Sequence, residues 1–477
     1  MISLTVVLSL VAVAAYVALA YLNGRLIVRM VTATPEPLST AGAPLLGAAA
    51  IGVQLWLYGL ASIPWNPITL VAPWLVAWVI ARHRLIEALR QDWAFVCAEA
   101  QRIRRQDRLT LILVGVAGLL LVTYALNLVT QPLTGFDAVS MWFFKAKQFY
   151  AEGSVDPGSI AGLATSWPSD PGPYVITARV IRSLDYPPLF SLMVASIYAL
   201  TWGVHDTLGK GVDVMYVVSG FAIVWTAVSR FAGVGRAAVV AFLAVAIAAV
   251  QTAMQDPLYT GYADYPLGVA MVASLANLHR GLTGGRTESW IFAMLFASVA
   301  ALLKSEGLPF LLLVTAVVAM RSWRSLLSAP VLISAAPVVA WQAFVAFNGW
   351  SSHHLLNDSL TTLPFIVPTR AALIVAYIAQ VIAMRIDHLW LAAAFAVTAW
   401  LVWRQSHDMV PVLAVFVLQC GVYFGVLVLN PGEVVGSLDR LIIQLAPTIV
   451  LMLGLAMGSE RESAPASSTP RMELIRQ

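Results

Sequence analysis

The chain has 477 residues, of which 60% are hydrophobic and only 11% charged, with a net charge of +4 and a mean hydropathy of +0.82. This composition excludes a soluble globular protein, because it is satisfied only by many spans in lipid. The small positive balance reflects orientation signals and excludes a nucleic-acid partner as the reason for the charge.

Each span takes roughly 17–25 mostly apolar residues. The apolar runs are continuous and do not alternate, which predicts helices and not a barrel. In chain order they fall at 2–22, 42–62, 66–81, 109–130, 188–204, 211–229, 237–254, 265–279, 289–303, 308–320, 330–347, 371–384, 389–403, 409–429 and 440–457. The first run lacks a basic start and a small-residue cleavage site, so a retained helix is expected there and not a signal peptide. Cys97 reads as cytoplasmic and Cys420 as lying within a span, so no disulfide is expected between them.

The connection 82–108 orients the chain. It carries Arg82, Arg84, Arg90, Arg102, Arg104, Arg105 and Arg108 against Glu87, Asp92, Glu99 and Asp107. Positive connections stay cytoplasmic, so the run from Leu109 travels outward and Arg25 and Arg29 lie inside. The arginines at 230, 236, 280, 286, 321, 324 and 404 also lie inside, provided that 188–204 and 371–384 do not cross. Those two runs are then expected along the outer interface, or dipping in and returning. The expected fold is an all-α polytopic membrane protein of about 13 transmembrane helices, with juxtamembrane helices in the outer loops. The organisation reads as 1–108, an N-terminal three-helix segment with its basic connection; 109–347, a core whose first outer loop is 131–187; 348–458, an outer loop and the last spans; and 459–477, a polar, Ser/Pro-rich cytoplasmic tail.

This topology gathers ionisable groups on the outer face: Asp137, Lys145 and Lys147; Asp185 in "DYPPLF"; Asp264 in "GYADYP"; Lys304 and Glu306 in "LLKSEG"; His353; and Arg440. Charges close to membrane depth are costly and face a cavity or a partner. If 137–150 is helical, Asp137, Met141 and Lys145 share a face, with the two charges about 12 Å apart along the axis. Trp142, Ala146 and Phe149 take the opposite stripe, facing lipid or packed. A plainer account exists for each feature. The first stretch reads also as an interfacial aromatic belt with snorkelling lysines. Asp185 and Asp264 read also as helix caps, Lys304 and Glu306 as partners of each other, and Arg440 as an interface anchor instead of a bidentate phosphate clamp. No P-loop, Gly-rich dinucleotide turn, HExxH or Cys-x-x-Cys is present.

Taken in order, "GFDAVSMWFFKAK", "DYPPL", "YTGYADYPL", "ALLKSEG" and "SLDRLIIQLAP" resemble the motifs of the GT-C superfamily of membrane glycosyltransferases, over about 109–457. The closest group is family-39-like or aminoarabinose-transferase-like. The resemblance implies sugar transfer from a polyprenyl-phosphate-linked donor to a glycan, lipid or protein acceptor. It places that reaction on the periplasmic face of a bacterial inner membrane. It assigns Asp137 as catalytic base and Lys145, Lys147, Lys304 and Arg440 to the donor phosphate. Asp185, Tyr186, Tyr262, Asp264 and Glu306 become acceptor-side or secondary acidic residues. Three spans precede the family's usual first span, and Asp-Tyr-Pro stands where the family has Asp-x-Asp. Metal use is therefore left open, with Asp264 and His353 as candidate ligands for Mg or Mn. Two alternatives compete: a lipid or polysaccharide transporter or flippase, which needs polar groups in mid-span, and a noncatalytic component of envelope-polysaccharide assembly.

Overall fold

The computed structural model describes residues 4–33, 36–130, 132–133, 137–155, 185–254, 261–348, 363–384, 386–405, 407–429 and 434–458. Every regular element among them is helical. The first half comprises α1 (Leu4–Val31), α2 (Pro37–Ala41), α3 (Ala43–Leu60), α4 (Pro67–Ile80), α5 (Arg82–Arg104), α6 (Arg108–Thr130), a π-turn (Ala138–Trp142), α7 (Phe143–Glu152), α8 (Leu189–Leu200) and α9 (Asp206–Gly209). The second comprises α10 (Gly211–Phe231), α11 (Val234–Met254), α12 (Asp264–Gly284), α13 (Thr287–Leu303), α14 (Gly307–Leu326), α15 (Ala329–Phe347), α16 (Leu363–Met384), α17 (Ile386–Gln405), α18 (Val410–Leu429) and α19 (Val434–Ala456).

Local chemistry sets the boundaries. Asn66 caps α4 by accepting from the Ile68 and Thr69 N–H groups at 3.0 Å each, and Pro67 occupies the first helical position, where its missing N–H is harmless. Between α13 and α14 the chain opens at Lys304, whose backbone is extended (φ −158°, ψ 151°). It turns back at Gly307, where a Cβ would lie 2.0 Å from the Ala300 carbonyl oxygen. Only glycine permits so close a return, and the return is what aims Lys304 and Glu306.

Among the described residues, seven helices are long and apolar enough to cross a bilayer, or nine if each of two bent pairs counts as one span. The chain is thus an α-helical protein with the spans of a multi-pass membrane protein. The main buried cluster runs from Val13 to Ala456, with α12 and α13 buried almost throughout, and a small second one joins Ile374, Leu427 and Val428.

Charge sorts the helix ends into two sets. Asp264 opens α12, Lys304 closes α13, Gly307 opens α14 and Arg440 lies early in α19. The opposite ends of the same helices carry Arg280, Arg286, Arg321 and Arg324. Contacts join the arginine ends to one another: Arg25 reaches Asp92 at 2.7 Å, Arg280 and Arg286 both grip Glu36, and Arg236 binds the Met457 carbonyl.

Several expectations change in detail. The connection 82–108 is largely helix, bent 88° from α4. The run 188–204 becomes the twelve-residue α8, buried by protein along nearly its whole length and not laid on an outer surface. The run 371–384 is the end of a longer helix that starts at Leu363 and is bent 107° from α17, the two together making one candidate span. Trp142, Ala146 and Phe149 are buried at 0%, 0% and 2% exposure, so that stripe is packed and not a lipid-facing belt.

Candidate functional site

The start of α12, the end of α13 and the early part of α19 meet the π-turn in one buried chain of charges. Arg440 is its centre. Its Nη1 donates to an Asp137 oxygen at 2.5 Å, while Nη2 and Nε donate to Asp264 Oδ2 at 3.0 and 3.3 Å. The other Asp264 oxygen accepts from Lys304 Nζ at 3.0 Å and from Gln444 Nε2. Lys304 Nζ also pairs with Glu306 at 2.6 Å. The sequence Asp137–Arg440–Asp264–Lys304–Glu306 is therefore continuous in space, although 303 positions separate the first two members in the chain.

Aromatic rings bed the cations. The Arg440 guanidinium lies 5.1 Å from the Tyr262 ring centroid and Lys304 Nζ lies 5.9 Å from that of Tyr186. The Tyr262 hydroxyl accepts the Asp137 backbone N–H at 3.1 Å, which ties the 261–263 turn to the start of the π-turn. Burial pushes the Tyr262 phenol up to about 12, with the Asp137 charge adding to the effect. Burial likewise holds the Tyr186 phenol well above its usual range, so both rings stay neutral.

Asp137, Asp264 and Lys304 are 6%, 1% and 3% exposed. Moving each such charge out of water costs several kcal/mol, roughly, and only close opposite charges with further hydrogen bonds offset that. Among the described residues three carboxylates face two cations here, an excess of one negative charge.

The remaining expected residues fall in two places. Asp185 and Tyr186 form a turn whose Asp185 carbonyl accepts from Trp341 Nε1 at 3.1 Å, and Tyr186 packs on Trp142 at 5.6 Å between ring centroids. Lys145 is buried behind this turn. Burial pushes its ammonium down to about 8, and the Asp185 charge partly opposes the shift. Lys147 goes elsewhere, pairing with Asp206 at 2.8 Å on a part-exposed surface. Two residues apart on a helix is about 200° of rotation, so Lys145 and Lys147 cannot serve one site. His353 lies outside the described residues.

Three further residues belong to the site. Gln444 lies one turn beyond Arg440 on α19, on the same face, and Gln419 of α18 donates to the Glu306 carbonyl at 3.0 Å. Asp213 of α10 accepts the Gly261 N–H at 3.0 Å, at a backbone φ of 86° that favours glycine, and so holds the turn that carries Tyr262. Asp213 sits three residues after Lys210 at the start of an apolar helix, and that interruption is a readable signal.

A divalent cation does not suit Asp264. Both of its oxygens face cations or an amide donor, and metal ligands must present free lone pairs. Among the described residues no group of three or more His, Cys, Asp or Glu side chains converges.

No protein-family model, curated protein or solved structure matches the chain.

Proposed function

We propose that the protein is an integral-membrane glycosyltransferase that moves a sugar from a polyprenyl-phosphate-linked donor to a glycan, lipid or protein acceptor. The observation that carries this reading is the meeting of Asp137, Asp264, Lys304 and Arg440, from four distant segments, at the end of the bundle opposite the arginines. Positive ends stay in the cytoplasm, so the reading puts the cluster on the outer, periplasmic face of a bacterial inner membrane. It retains the thirteen-span arrangement as its topology.

The chemistry follows from the pairing. A lipid phosphate arriving from the bilayer meets Arg440 and Lys304, the two cations of the cluster. It competes with Asp137 for the guanidinium edge, and the released Asp137 oxygen turns to the acceptor hydroxyl. Asp137 takes that proton as the acceptor oxygen forms its bond to the anomeric carbon. The bond from that carbon to the phosphate oxygen breaks, and its electron pair leaves with the lipid phosphate. A positioned base contributes typically about 10²–10⁴-fold. Fixed cations stabilise the departing charge, and stabilisation of that kind is usually the largest single contribution. Asp264 and Gln444 hold Arg440 and Lys304 in place, Tyr262 fixes the Asp137 backbone, and no step is assigned to a metal.

The test is Asp137→Asn, expressed in the host from which the native copy has been deleted, with envelope glycans and prenyl-linked sugars read by mass spectrometry. The variant keeps the shape of the side chain and loses its basicity. Accumulation of the prenyl-linked donor with loss of the glycan supports the proposal. Unchanged glycan output from a normally expressed variant refutes it. A flippase predicts a third pattern, in which the donor accumulates on the cytoplasmic leaflet.

A further inference from the structure

At the opposite end of the bundle, α5 runs at 88° to α4 and crosses the ends of α1 and α10. Its 23 residues divide into three faces. Leu85, Ala88, Asp92 and Glu99 turn inward, at helical spacing. Asp92 accepts from Arg25 Nε at 2.7 Å and Nη2 at 2.9 Å, and Glu99 accepts from Trp225 Nε1 at 3.0 Å. Of the helix's three acids, Asp92 is thus consumed inside the protein, while Glu99 also accepts from the exposed Arg102 at 2.9 Å.

The second face is apolar and, among the described residues, uncovered. Ile86, Trp93 and Val96 are 48%, 70% and 54% exposed, and the 3.6-residue period sets them in one stripe with Leu89 and Ala100. The third face and the helix ends are basic. Seven arginines between 82 and 108 are exposed, against the exposed acids Glu87 and Asp107. A helix at right angles to the apolar α4, with an aromatic-bearing apolar stripe flanked by arginines, has the design of a segment lying in the plane of the bilayer surface.

We propose that α5 is a binding site for anionic phospholipid headgroups, with Ile86, Trp93 and Val96 seated below the phosphate level and Arg82, Arg90 and Arg104, on the same side of the helix, on the phosphates. The placement of Asp92 and Glu99 favours this, because Asp92 is neutralised by Arg25 and Glu99 by Arg102, and neither is spent on Arg82, Arg90 or Arg104. The occupant is identified by complementarity: an acyl boundary for the stripe and a sheet of phosphates for the guanidiniums, offered together only by a negatively charged leaflet. This inference stands independently of any reaction at the other end of the bundle.

The experiment uses the full chain with Cys97→Ser and Cys420→Ser, reconstituted in phosphatidylcholine bilayers with or without phosphatidylglycerol. A nitroxide at Trp93→Cys is expected to be more accessible to oxygen than to a water-soluble nickel complex, and one at Ala98→Cys, on the polar face, the reverse. Native mass spectrometry then counts retained phosphatidylglycerol. Changing Arg82, Arg90 and Arg104 to Gln is expected to weaken that retention by about fivefold per arginine, with phosphatidylcholine unaffected. A label at 93 as wet as that at 98 overturns the proposal, and is what an acidic protein partner on this face would give. Phosphatidylglycerol retention that ignores the three substitutions overturns it equally.

Discussion

Replacing Arg440 by Gln removes the central link of the charge chain while nearly keeping its volume. The structure sets the scale. Arg440 makes contacts of 2.5, 3.0 and 3.3 Å to two carboxylates that are 6% and 1% exposed. Its loss takes the cluster from one excess negative charge to two, in a place where water cannot answer them. Breaking a buried pair in this way costs about 3–5 kcal/mol. Hydrogen bonds between membrane helices average only about 0.6 kcal/mol, so the charge imbalance dominates the expected loss. Adding Asp137→Asn to Arg440→Gln restores the original imbalance of one. The double variant should therefore recover part of the loss, with a coupling of about 1–3 kcal/mol between the two positions. Reversible unfolding in mixed micelles, followed by circular dichroism, measures all four corners of the cycle. Additivity within about 0.5 kcal/mol would refute direct coupling of the pair and with it the geometry of the site.

Other outcomes are expected from the same geometry. Lys147→Ala should leave stability within about 1 kcal/mol of the parent, as is usual for an exposed ion pair, and should leave glycan output unchanged where Lys304→Met abolishes it. Burial holds the Lys145 ammonium at about 8, below its ordinary value of 10.5, so the unfolded chain binds more protons between those values. Stability should therefore rise as pH increases through that window, and melting curves of Lys145→Met should lack the rise. Gly307→Ala places a methyl 2.0 Å from a carbonyl oxygen, and the helix ends carrying Lys304 and Glu306 must part. Lower thermal stability and lost transfer are expected together, and a normal melting temperature would contradict the account of that turn.

The charged ends are legible in the sequence because each ionisable residue interrupts an apolar run, where it stands out against the cost of burial. "LLKSEG" divides two short runs, and the structure breaks the helix there. Which charge meets which is not legible. Lys304 pairs with Glu306, as adjacency suggests, but also with Asp264 forty residues away. Proximity along the chain groups Lys147 with Lys145, whereas helical rotation sends it to Asp206. Gln444 escapes notice in the sequence because an uncharged amide does not stand out, although it lies at i+4 from Arg440. In the connection 82–108 the arginines dominate the reading. Yet the spacing of Ile86, Trp93 and Val96 announces a helix as clearly as any span, with an apolar stripe too narrow to cross a bilayer.

Binding of undecaprenyl phosphate to the purified protein, followed by cryo-electron microscopy of the complex, bears most directly on the central proposal. It predicts the lipid phosphate within hydrogen-bonding distance of Arg440 and Lys304, with the Asp137 oxygen released from the guanidinium. A phosphate seated elsewhere, with the chain from Asp137 to Glu306 intact beneath it, would contradict the account.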